Sequence, residues 1–306
     1  MQIMQITLAM LFCHFLTGTA SVTTRYLVSV LDPVEIACLR YLLGGLILLP
    51  LFFVTRSRIP DRSILVRIAG LGVLFFALFP FLFSWAFVHT SAARGSLVLA
   101  TMPVWTLLLG KLAGHERITG LNLVAVILTL TGLTIALSDK LFTGEDYTTL
   151  FTGELIMFVT AWVGAIYAIL SRKVLQKVSS VTFSPLAMLA GSLFLFPFAI
   201  DTGVIQHLQE LTSLQLVLMM YLGVVAGGVA FFLFNWSIHR SSATFTTLFV
   251  PLNPITAIFL GNLFLGESIQ ANFIIGVLVV FSGLGFAVRA QIRHFHDLRS
   301  LSSQVQ

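Results

Sequence analysis

Long apolar runs separated by short polar stretches fill the chain from residue 3 to residue 288. An apolar run of about 20 residues crosses a bilayer core of about 30 Å as an α-helix. The runs predict ten membrane-spanning helices and no strand, over residues 3–22, 33–54, 68–88, 96–112, 121–137, 153–170, 183–200, 216–238, 243–264 and 273–288. The predicted fold class is therefore an all-α integral membrane protein with ten transmembrane helices.

The second half of the chain repeats uncommon residues of the first half at a fixed offset of 151 positions. The pairs are Trp85 and Trp236, Pro103 and Pro254, Glu116 and Glu267, and Gly132 and Gly283. Each copy contains five predicted helices, an odd number, so the second copy enters the membrane from the opposite face. We expect two inverted five-helix repeats related by an axis in the membrane plane, as in many secondary transporters.

This repeat sets the predicted domain boundaries. The first repeat spans residues 1–140, an external linker spans 141–152, the second repeat spans 153–290, and a cytoplasmic tail spans 291–306. A solute site at the interface of such repeats lies near the middle of the membrane.

The positions of the basic residues predict the orientation. Of the 17 lysines and arginines, all but Arg25, Arg40, Arg94 and Lys140 lie in or beside the even-numbered connections and the carboxyl tail. Positive charge marks cytoplasmic loops, so we expect a multi-pass protein of the inner (plasma) membrane with both termini in the cytoplasm. The net charge of +5 then needs no nucleic acid partner. The expected partners are lipid and a small-molecule solute, and the protein is expected to be a monomer or homodimer.

The amino-acid composition and the motifs exclude several classes of protein. Only 9% of the residues are charged and 58% are hydrophobic, against about 25% charged in soluble domains. Both cysteines, Cys13 and Cys38, fall within predicted spans, so neither a disulfide framework nor a cysteine metal site is supported. The sequence has no nucleotide-binding glycine loop and no metal-type His/Glu cluster. We therefore expect no catalytic residue, no metal, no cofactor and no enzymatic activity.

The repeated phrases also carry a family resemblance. Pro103 lies in Ala-Thr-Met-Pro-Val-Trp before Gly-His-Glu at 114–116, and Pro254 begins Pro-Ile-Thr-Ala before Leu-Gly-Glu at 265–267. Both halves resemble the EamA-type domain of the drug/metabolite transporter superfamily, and Pro33 followed by Arg40-Tyr41 matches the same family's second helix. The resemblance implies alternating access around a cavity lined by the first, third, fourth, sixth, eighth and ninth helices. Thr17-Gly18 departs from the family's aromatic-glycine pattern.

Six polar or aromatic residues are candidates for solute binding. They are His14, Thr17, Trp105, Trp162, Asn235 and Asn253. His14 lies near the centre of the first span, where an ionisable group is a functional hypothesis by default, and Thr17 shares its face of the helix. The others lie on helices that the resemblance places at the cavity. For the histidine and the asparagines, hydrogen bonding between helices is the structural alternative.

The prolines and two arginines have other predicted roles. Pro103, Pro251 and Pro254 interrupt mirror-related helices, and we interpret them as a gate or hinge, with a purely structural kink as the alternative. Arg40 has three open interpretations: it binds a solute carboxylate, pairs with Glu35, or snorkels to the outer rim. Arg94, at the mouth of the fourth span, attracts anions or caps a loop.

These features predict a secondary transporter that moves a small organic metabolite, an amino acid or a derivative, by alternating access, with export favoured by the resemblance alone. One alternative is an importer or exchanger of a nucleotide-type solute, which calls for several cations facing the cavity. Another is a non-transporting accessory subunit, which predicts a filled apolar interior. A membrane-embedded enzyme would need clustered His, Asp or Glu at a membrane face.

Overall fold

A computed structural model describes residues 2–56, 59–90, 92–114, 119–141, 147–256, 259 and 271–304. The side chains of residues 2, 92–94, 137, 139–141, 147–151 and 294–304 lie outside that description. Over these ranges every regular element is a helix, and eight helical segments, three of which join consecutive shorter elements, are long and apolar enough to cross a membrane. The predicted all-α membrane class is confirmed to this extent.

Fourteen α-helices and two π-helical segments follow one another along the described ranges. They are α1 Gln2–Leu27, α2 Pro33–Val54, α3 Arg62–Gly72, π1 Val73–Leu78, α4 Phe79–His89, α5 Ala92–Leu99, α6 Met102–Leu112, α7 Gly120–Leu141, α8 Tyr147–Leu175, α9 Ser180–Asp201, α10 Val204–Glu210, α11 Ser213–Gly223, π2 Val224–Val229, α12 Ala230–Arg240, α13 Ala243–Thr247 and α14 Ala271–Gln304.

Several helices are longer than their apolar runs. Helix α1 continues to Leu27, and α14 continues through the predicted tail to Gln304. Hydropathy underestimates these ends because a helix continues beyond the hydrocarbon core into the polar interface. The short helix α10 was not predicted, and the apolar part of α7, Gly120–Ala136, is shorter than the eight long spans.

The fourth and ninth predicted spans are both broken just before a proline. In the fourth, two residues separate the end of α5 from the start of α6, and the Thr101 amide donates to the Val98 carbonyl at 3.0 Å. In the ninth, the Leu252 amide donates to the Phe249 carbonyl, also at 3.0 Å, before residues 252–256 resume the helix. Because proline lacks an N–H and its ring clashes with the preceding turn, the predicted continuous helices are wrong at these points. Residues 257–258 and 260–264 of the ninth span lie outside the described ranges.

The sequence repeat extends to the helix boundaries. The two π segments, Val73–Leu78 and Val224–Val229, are 151 positions apart at both ends. The helices α3 and α11, α4 and α12, and α7 and α14 also start at this offset. Even the tight turns of the broken spans correspond, since Thr101 and Leu252 are 151 positions apart.

Close glycine contacts join the two halves. A Cβ on Gly132 of α7 would meet the carbonyl of Gly276 of α14 at 2.7 Å, and one on Gly283 of α14 would meet the carbonyl of Ala125 of α7 at 3.0 Å. The positions rise along one helix as they fall along the other, so α7 and α14 are antiparallel. Ala125 and Gly276 are themselves 151 positions apart, so the contacts are reciprocal. For this helix pair they are the contacts of a local two-fold axis.

The same reciprocity relates the central helices. A Cβ added to Gly72, which ends α3, would meet the carbonyl of Ala187 in α9, and a Cβ added to Gly223, which ends α11, would lie 3.3 Å from the carbonyl of Arg40 in α2. Large apolar side chains such as Leu193 and Leu278 are exposed on the outside of the helices, as expected where a helix faces lipid. The cavity described next lies between the central helices.

Candidate functional site

A cavity of about 40 Å³ lies between α1, α2, π1, α4, α12 and the broken fourth and ninth spans. Its aromatic wall is formed by Phe75, Phe79, Phe83, Phe231 and Phe234. Its polar lining is His14, Thr17, Arg40 and Asn253. A cavity needs at least about 10–15 Å³ of such volume to hold one water, so this cavity admits water.

Three of the predicted solute-binding residues meet in this cavity. The Asn253 Oδ1 atom lies 3.0 Å from His14 Nδ1 and accepts a hydrogen bond of 2.8 Å from Thr17 Oγ1. Because an amide oxygen only accepts, His14 Nδ1 carries the hydrogen and Nε2 carries the lone pair. The Nε2 atom is buried and has no hydrogen-bond partner among the described residues, although the Thr246 backbone also lies near the ring.

Local sequence explains why these residues meet. His14 and Thr17 are one turn apart on α1, so they share a face. Gly18 lets that face approach the ninth span, because a Cβ there would lie 2.7 Å from the Asn253 carbonyl and 2.6 Å from Thr256 Cβ. Asn253 itself lies in the short helix that follows the break, so the break brings its side chain to α1.

Arg40 is the cation of the cavity. Its side chain is 4% exposed, its Nη2 donates to the Ala226 carbonyl at 3.2 Å, and its Nε is buried without a partner. Its Cζ lies 5.3 Å from the ring centroid of Tyr41 and 5.6 Å from that of Phe231. Within the described ranges no carboxylate lies within ion-pair distance of it. An unpaired arginine at the membrane centre costs about 2.5–3.5 kcal/mol on insertion scales.

The π2 segment supplies the carbonyl that Arg40 binds. The Ala230 amide donates to the carbonyls of Val225 and Gly227 and passes over that of Ala226. A π bulge shifts the hydrogen-bond register by one residue, and a passed-over carbonyl in a membrane helix needs another donor. Arg40 provides that donor, so the bulge and the arginine stabilise one another.

Glu35 does not pair with Arg40, and the snorkelling interpretation does not match the burial of Arg40. The Glu35 carboxylate lies 2.8 Å from His207 Nδ1, accepts from Thr202 Oγ1 at 3.0 Å, and also accepts the Asp32 amide at the start of α2. It therefore ties the start of α2 to the end of α9 and to α10. Sequence reasoning missed this contact, because His207 is separated from Glu35 by 172 positions.

The remaining solute-binding candidates lie outside the cavity lining. Trp105 and Trp162 pack on each other with ring centroids 5.0 Å apart, and Trp105 Nε1 donates to Thr101 Oγ1 at 3.1 Å. Asn235 accepts from the Tyr167 hydroxyl at 2.7 Å and donates to Ser184 Oγ at 3.0 Å. These contacts join helices to each other.

The gate or hinge candidates are all buried. Pro103 is in the first turn of α6, Pro251 ends the turn in the ninth span, and Pro254 lies in the resumed helix. The backbone of Arg94 lies in α5, but its side chain is outside the description, so its predicted role stays a prediction. No group of three potential metal ligands occurs among the residues described.

The cavity's phenylalanines and π segments were also missed in the sequence. Phe75 and Phe231 lie within or beside the π segments and line the cavity. The available signal is the pair Gly227-Gly228, because close-packed glycines in a membrane helix often mark a local change of geometry. A uniform apolar run hides the π register from hydropathy.

Comparison with known proteins places these features in context. The family model described as the EamA-like transporter family matches residues 4–138 and 151–289. An uncharacterized transporter of Clostridium kluyveri is 25% identical over 259 residues, which cover 83% of this chain and 82% of the relative. A protein of Escherichia coli named "Probable amino-acid metabolite efflux pump" is 24% identical and covers 83% of this chain and 85% of its own length.

Two further likenesses concern a more distant relative and the fold. A protein of Streptantibioticus cattleyicolor named "Probable terminal-alkyne amino-acid exporter" is 22% identical over 210 residues, which cover 69% of this chain and 68% of that protein. One crystal structure superposes with a TM-score of 0.72 at 17% sequence identity, and covers 94% of this chain and 98% of its own. At that identity the superposition establishes a shared fold.

Proposed function

The chain belongs to the EamA-like transporter family, and on that premise we propose that it exports an amino acid or a derivative by alternating access. In this proposal ten helices form two inverted five-helix repeats in the inner (plasma) membrane, with both termini in the cytoplasm. The solute binds between the repeats, at the cavity that His14, Thr17 and Asn253 line.

The cavity chemistry is the observation that carries the proposal. A hydrogen-bonding group of histidine, threonine and asparagine faces a wall of phenylalanines. Few polar groups placed in a mostly apolar pocket are typical of small-molecule sites. An amino acid with an apolar side chain suits this arrangement, because its polar end meets the hydrogen-bonding group and its side chain meets the aromatic rings.

Alternating access is supported by the paired breaks and contacts. The tight turns before Pro103 and Pro254 interrupt helices that line the cavity, and interrupted helices at the repeat interface are typical of secondary transporters. The reciprocal glycine contacts of α7 and α14 support an inverted arrangement of the halves. The small volume of the cavity suits a closed state that opens to one side at a time.

The names of two relatives support export of amino-acid metabolites. A nucleotide-type solute is less well supported, because Arg40 is the lone cationic side chain among the described residues that line the cavity. An accessory subunit predicts an apolar interior, and the hydrogen-bonding group in the cavity argues against it. A membrane-embedded metalloenzyme would need a group of His, Cys, Asp or Glu ligands, and none with three members occurs in the described ranges.

Transport by purified protein in liposomes tests the proposal. Labelled apolar and small polar amino acids are loaded and their release is followed for the wild type and for Thr17→Val and Asn253→Ala. Loss of hydrogen bonds worth about 1–3 kcal/mol should raise the KM about tenfold or more. Thr134→Val is the matched control, since Thr134 is exposed on α7 and its hydroxyl bonds only its own helix at Leu130.

Two outcomes would contradict the proposal. If the wild type moves none of the amino acids or their derivatives, the transport assignment is wrong. If it transports them but Thr17→Val and Asn253→Ala behave as Thr134→Val does, the solute binds elsewhere.

A further inference from the structure

We propose that Arg40 binds the carboxylate of the solute, so that the transporter selects amphipathic carboxylates, amino acids included, over their amides. This inference rests on the proposed function and specifies the substrate class of the same site. It begins from the observation that Arg40 lines the cavity as a buried cation with no carboxylate partner in the described part of the chain.

The carboxylate of Glu35, which is near Arg40 in the sequence, forms hydrogen bonds to other groups. Glu35, five positions before Arg40, is fully buried and receives hydrogen bonds from Thr202, the Asp32 amide and His207. These partners hold it at the start of α2. Among the described residues no carboxylate faces Arg40, and a solute that enters the cavity is positioned to supply one.

The geometry holds the guanidinium ready for an anion. One hydrogen bond from Nη2 to the Ala226 carbonyl and two aromatic neighbours, Tyr41 and Phe231, fix the side chain. The Nε donor is buried with no partner. A guanidinium presents five donors in a planar fork that fits a carboxylate with two parallel bonds. A fixed guanidinium with unused donors loses little conformational freedom when a carboxylate binds.

Comparison of the two repeats shows whether helix packing by itself requires Arg40. The carbonyl of Arg40 packs near Gly223, and the carbonyl of Ala187 packs against Gly72. Because Gly72 and Gly223 are 151 positions apart and end equivalent helices, Arg40 and Ala187 occupy equivalent places. The second half builds the same packing with an alanine, so helix packing alone does not require an arginine.

The same cavity accounts for the rest of the substrate class. A single guanidinium matches a single negative charge, and the phenylalanine wall matches an apolar side chain. The hydrogen-bonding group of His14, Thr17 and Asn253 lines the same cavity and would meet the amino group of an amino acid. A carboxylate without an amino group keeps the first interaction and loses the second.

Competition in proteoliposomes tests this selection. The probes are L-leucine, L-phenylalanine and L-methionine, each compared with its amide and its N-acetyl acid as inhibitors of transport of the labelled amino acid. The acid and the N-acetyl acid should compete, and the amide should compete at least tenfold more weakly. Arg40→Met should lower transport of the acid at least tenfold, Arg40→Lys should lower it less, and Arg240→Gln should leave it unchanged. Arg240 is the matched control because its guanidinium lies 4.7 Å from the Trp236 ring outside the cavity lining.

Thermal unfolding in detergent distinguishes binding from folding. Arg40→Met should unfold close to the wild-type temperature, because removal of a buried unpaired charge offsets loss of the hydrogen bond to the Ala226 carbonyl. N-acetyl-leucine should raise the unfolding temperature of the wild type but not of Arg40→Met, since only a ligand that binds the native state stabilises it. The inference is overturned if Arg40→Met is unstable while Arg40→Lys is fully active and does not discriminate the acid from the amide. Arg40 would then have a role in folding only.

Failure of the inference differs from failure of the proposed function. If the wild type moves acids and amides equally well, or if Arg40→Met transports the acid within twofold of the wild type, transport stands and the carboxylate site is wrong. If the wild type moves none of the acids, amides or N-acetyl acids, the proposed function itself is wrong and the inference falls with it.

Discussion

The contact between α7 and α14 makes a quantitative prediction about Gly283. A Cβ at this position would lie 2.9 Å from the Thr129 amide nitrogen and 3.0 Å from the Ala125 carbonyl, and neither backbone atom can move freely. Gly285, two residues further along the same helix, has open space around it. Gly283→Ala and Gly285→Ala therefore change the helix equally and differ in packing.

The expected magnitudes follow from this difference. Replacing a helical glycine by alanine stabilises a helix by about 0.5–1 kcal/mol. Overpacking a close contact destabilises by about 1–3 kcal/mol. We therefore expect Gly285→Ala to be stabilising by about 0.5–1 kcal/mol, and Gly283→Ala to be destabilising by about 0–2.5 kcal/mol after the helix gain is subtracted.

The assay is unfolding of purified protein in mixed micelles, followed by helicity as the denaturing detergent increases. Gly132→Ala extends the comparison, because a Cβ there would meet the Gly276 carbonyl and the Val280 amide, each at 2.7 Å. Reciprocal contacts predict similar losses for Gly132→Ala and Gly283→Ala. If Gly283→Ala is as stable as Gly285→Ala, the close antiparallel packing described for α7 and α14 is refuted.

Three further predictions concern residues outside the cavity lining. Asn235→Leu should destabilise by about 1–3 kcal/mol because it leaves the Tyr167 hydroxyl buried and unpaired, and Tyr167→Phe in the same chain should recover part of the loss in the same unfolding assay. Glu35→Gln and His207→Ala should be non-additive in a double-mutant cycle, with a coupling of about 1.5–3 kcal/mol for a bond to a charged group; additive losses would contradict the contact. Trp162→Phe should keep transport within twofold of the wild type, and a tenfold loss in the liposome assay would return Trp162 to the solute site.

The sequence was sufficient to predict the helices and the repeat, but not the breaks within the fourth and ninth helices. Uncommon residues such as Pro103 and Pro254 recur at one offset, and helix boundaries and tight turns recur at the same offset in the structure. The π segments could not be predicted, because an apolar run is compatible with either hydrogen-bond register. Proline indicated where the fourth and ninth spans change direction, but not that the helix stops.

For the candidate site, the sequence predicted how deep in the membrane a residue lies, but not the direction in which its side chain points. His14 and Thr17 were recognised because a histidine at mid-membrane needs a partner, and the structure places Asn253 beside both. Trp105 and Trp162 lie at a similar depth but pack on each other away from the cavity. Depth follows from counting residues along a helix, whereas the direction of a side chain depends on which helices pack around it.

Arg40 illustrates the same limit. Counting residues from Pro33 suggested a side chain able to reach the outer rim, but the side chain is buried between α2 and π2. Gly227 makes this possible, since a Cβ there would lie 3.2 Å from Arg40 Cγ. Arg40 and Gly227 are 187 positions apart in the sequence. Their contact depends on tertiary packing, so the residues around Arg40 do not predict it.

The polar residues of the cavity break the symmetry of the repeat. Packing equates Arg40 with Ala187, an offset of 147 that also relates the ends of helices α2 and α9. At this offset His14 corresponds to Ala161 and Thr17 to Gly164, and at the offset of 151 Asn253 corresponds to Met102. The elements that bend or pack, namely the π segments, the tight turns and the glycine contacts, are by contrast present in both halves.

This division suits a transporter whose two halves exchange conformations. Equivalent moving parts allow inward-open and outward-open states of similar energy, because each half can adopt the shape of the other. Under the proposed function, a one-sided set of polar groups would hold the solute in a single orientation while the halves move. A solute then shifts the equilibrium only through its different contacts with these groups in the two states, so substitutions at the polar residues should alter selectivity, and substitutions at the paired glycines should alter the rate of exchange between states.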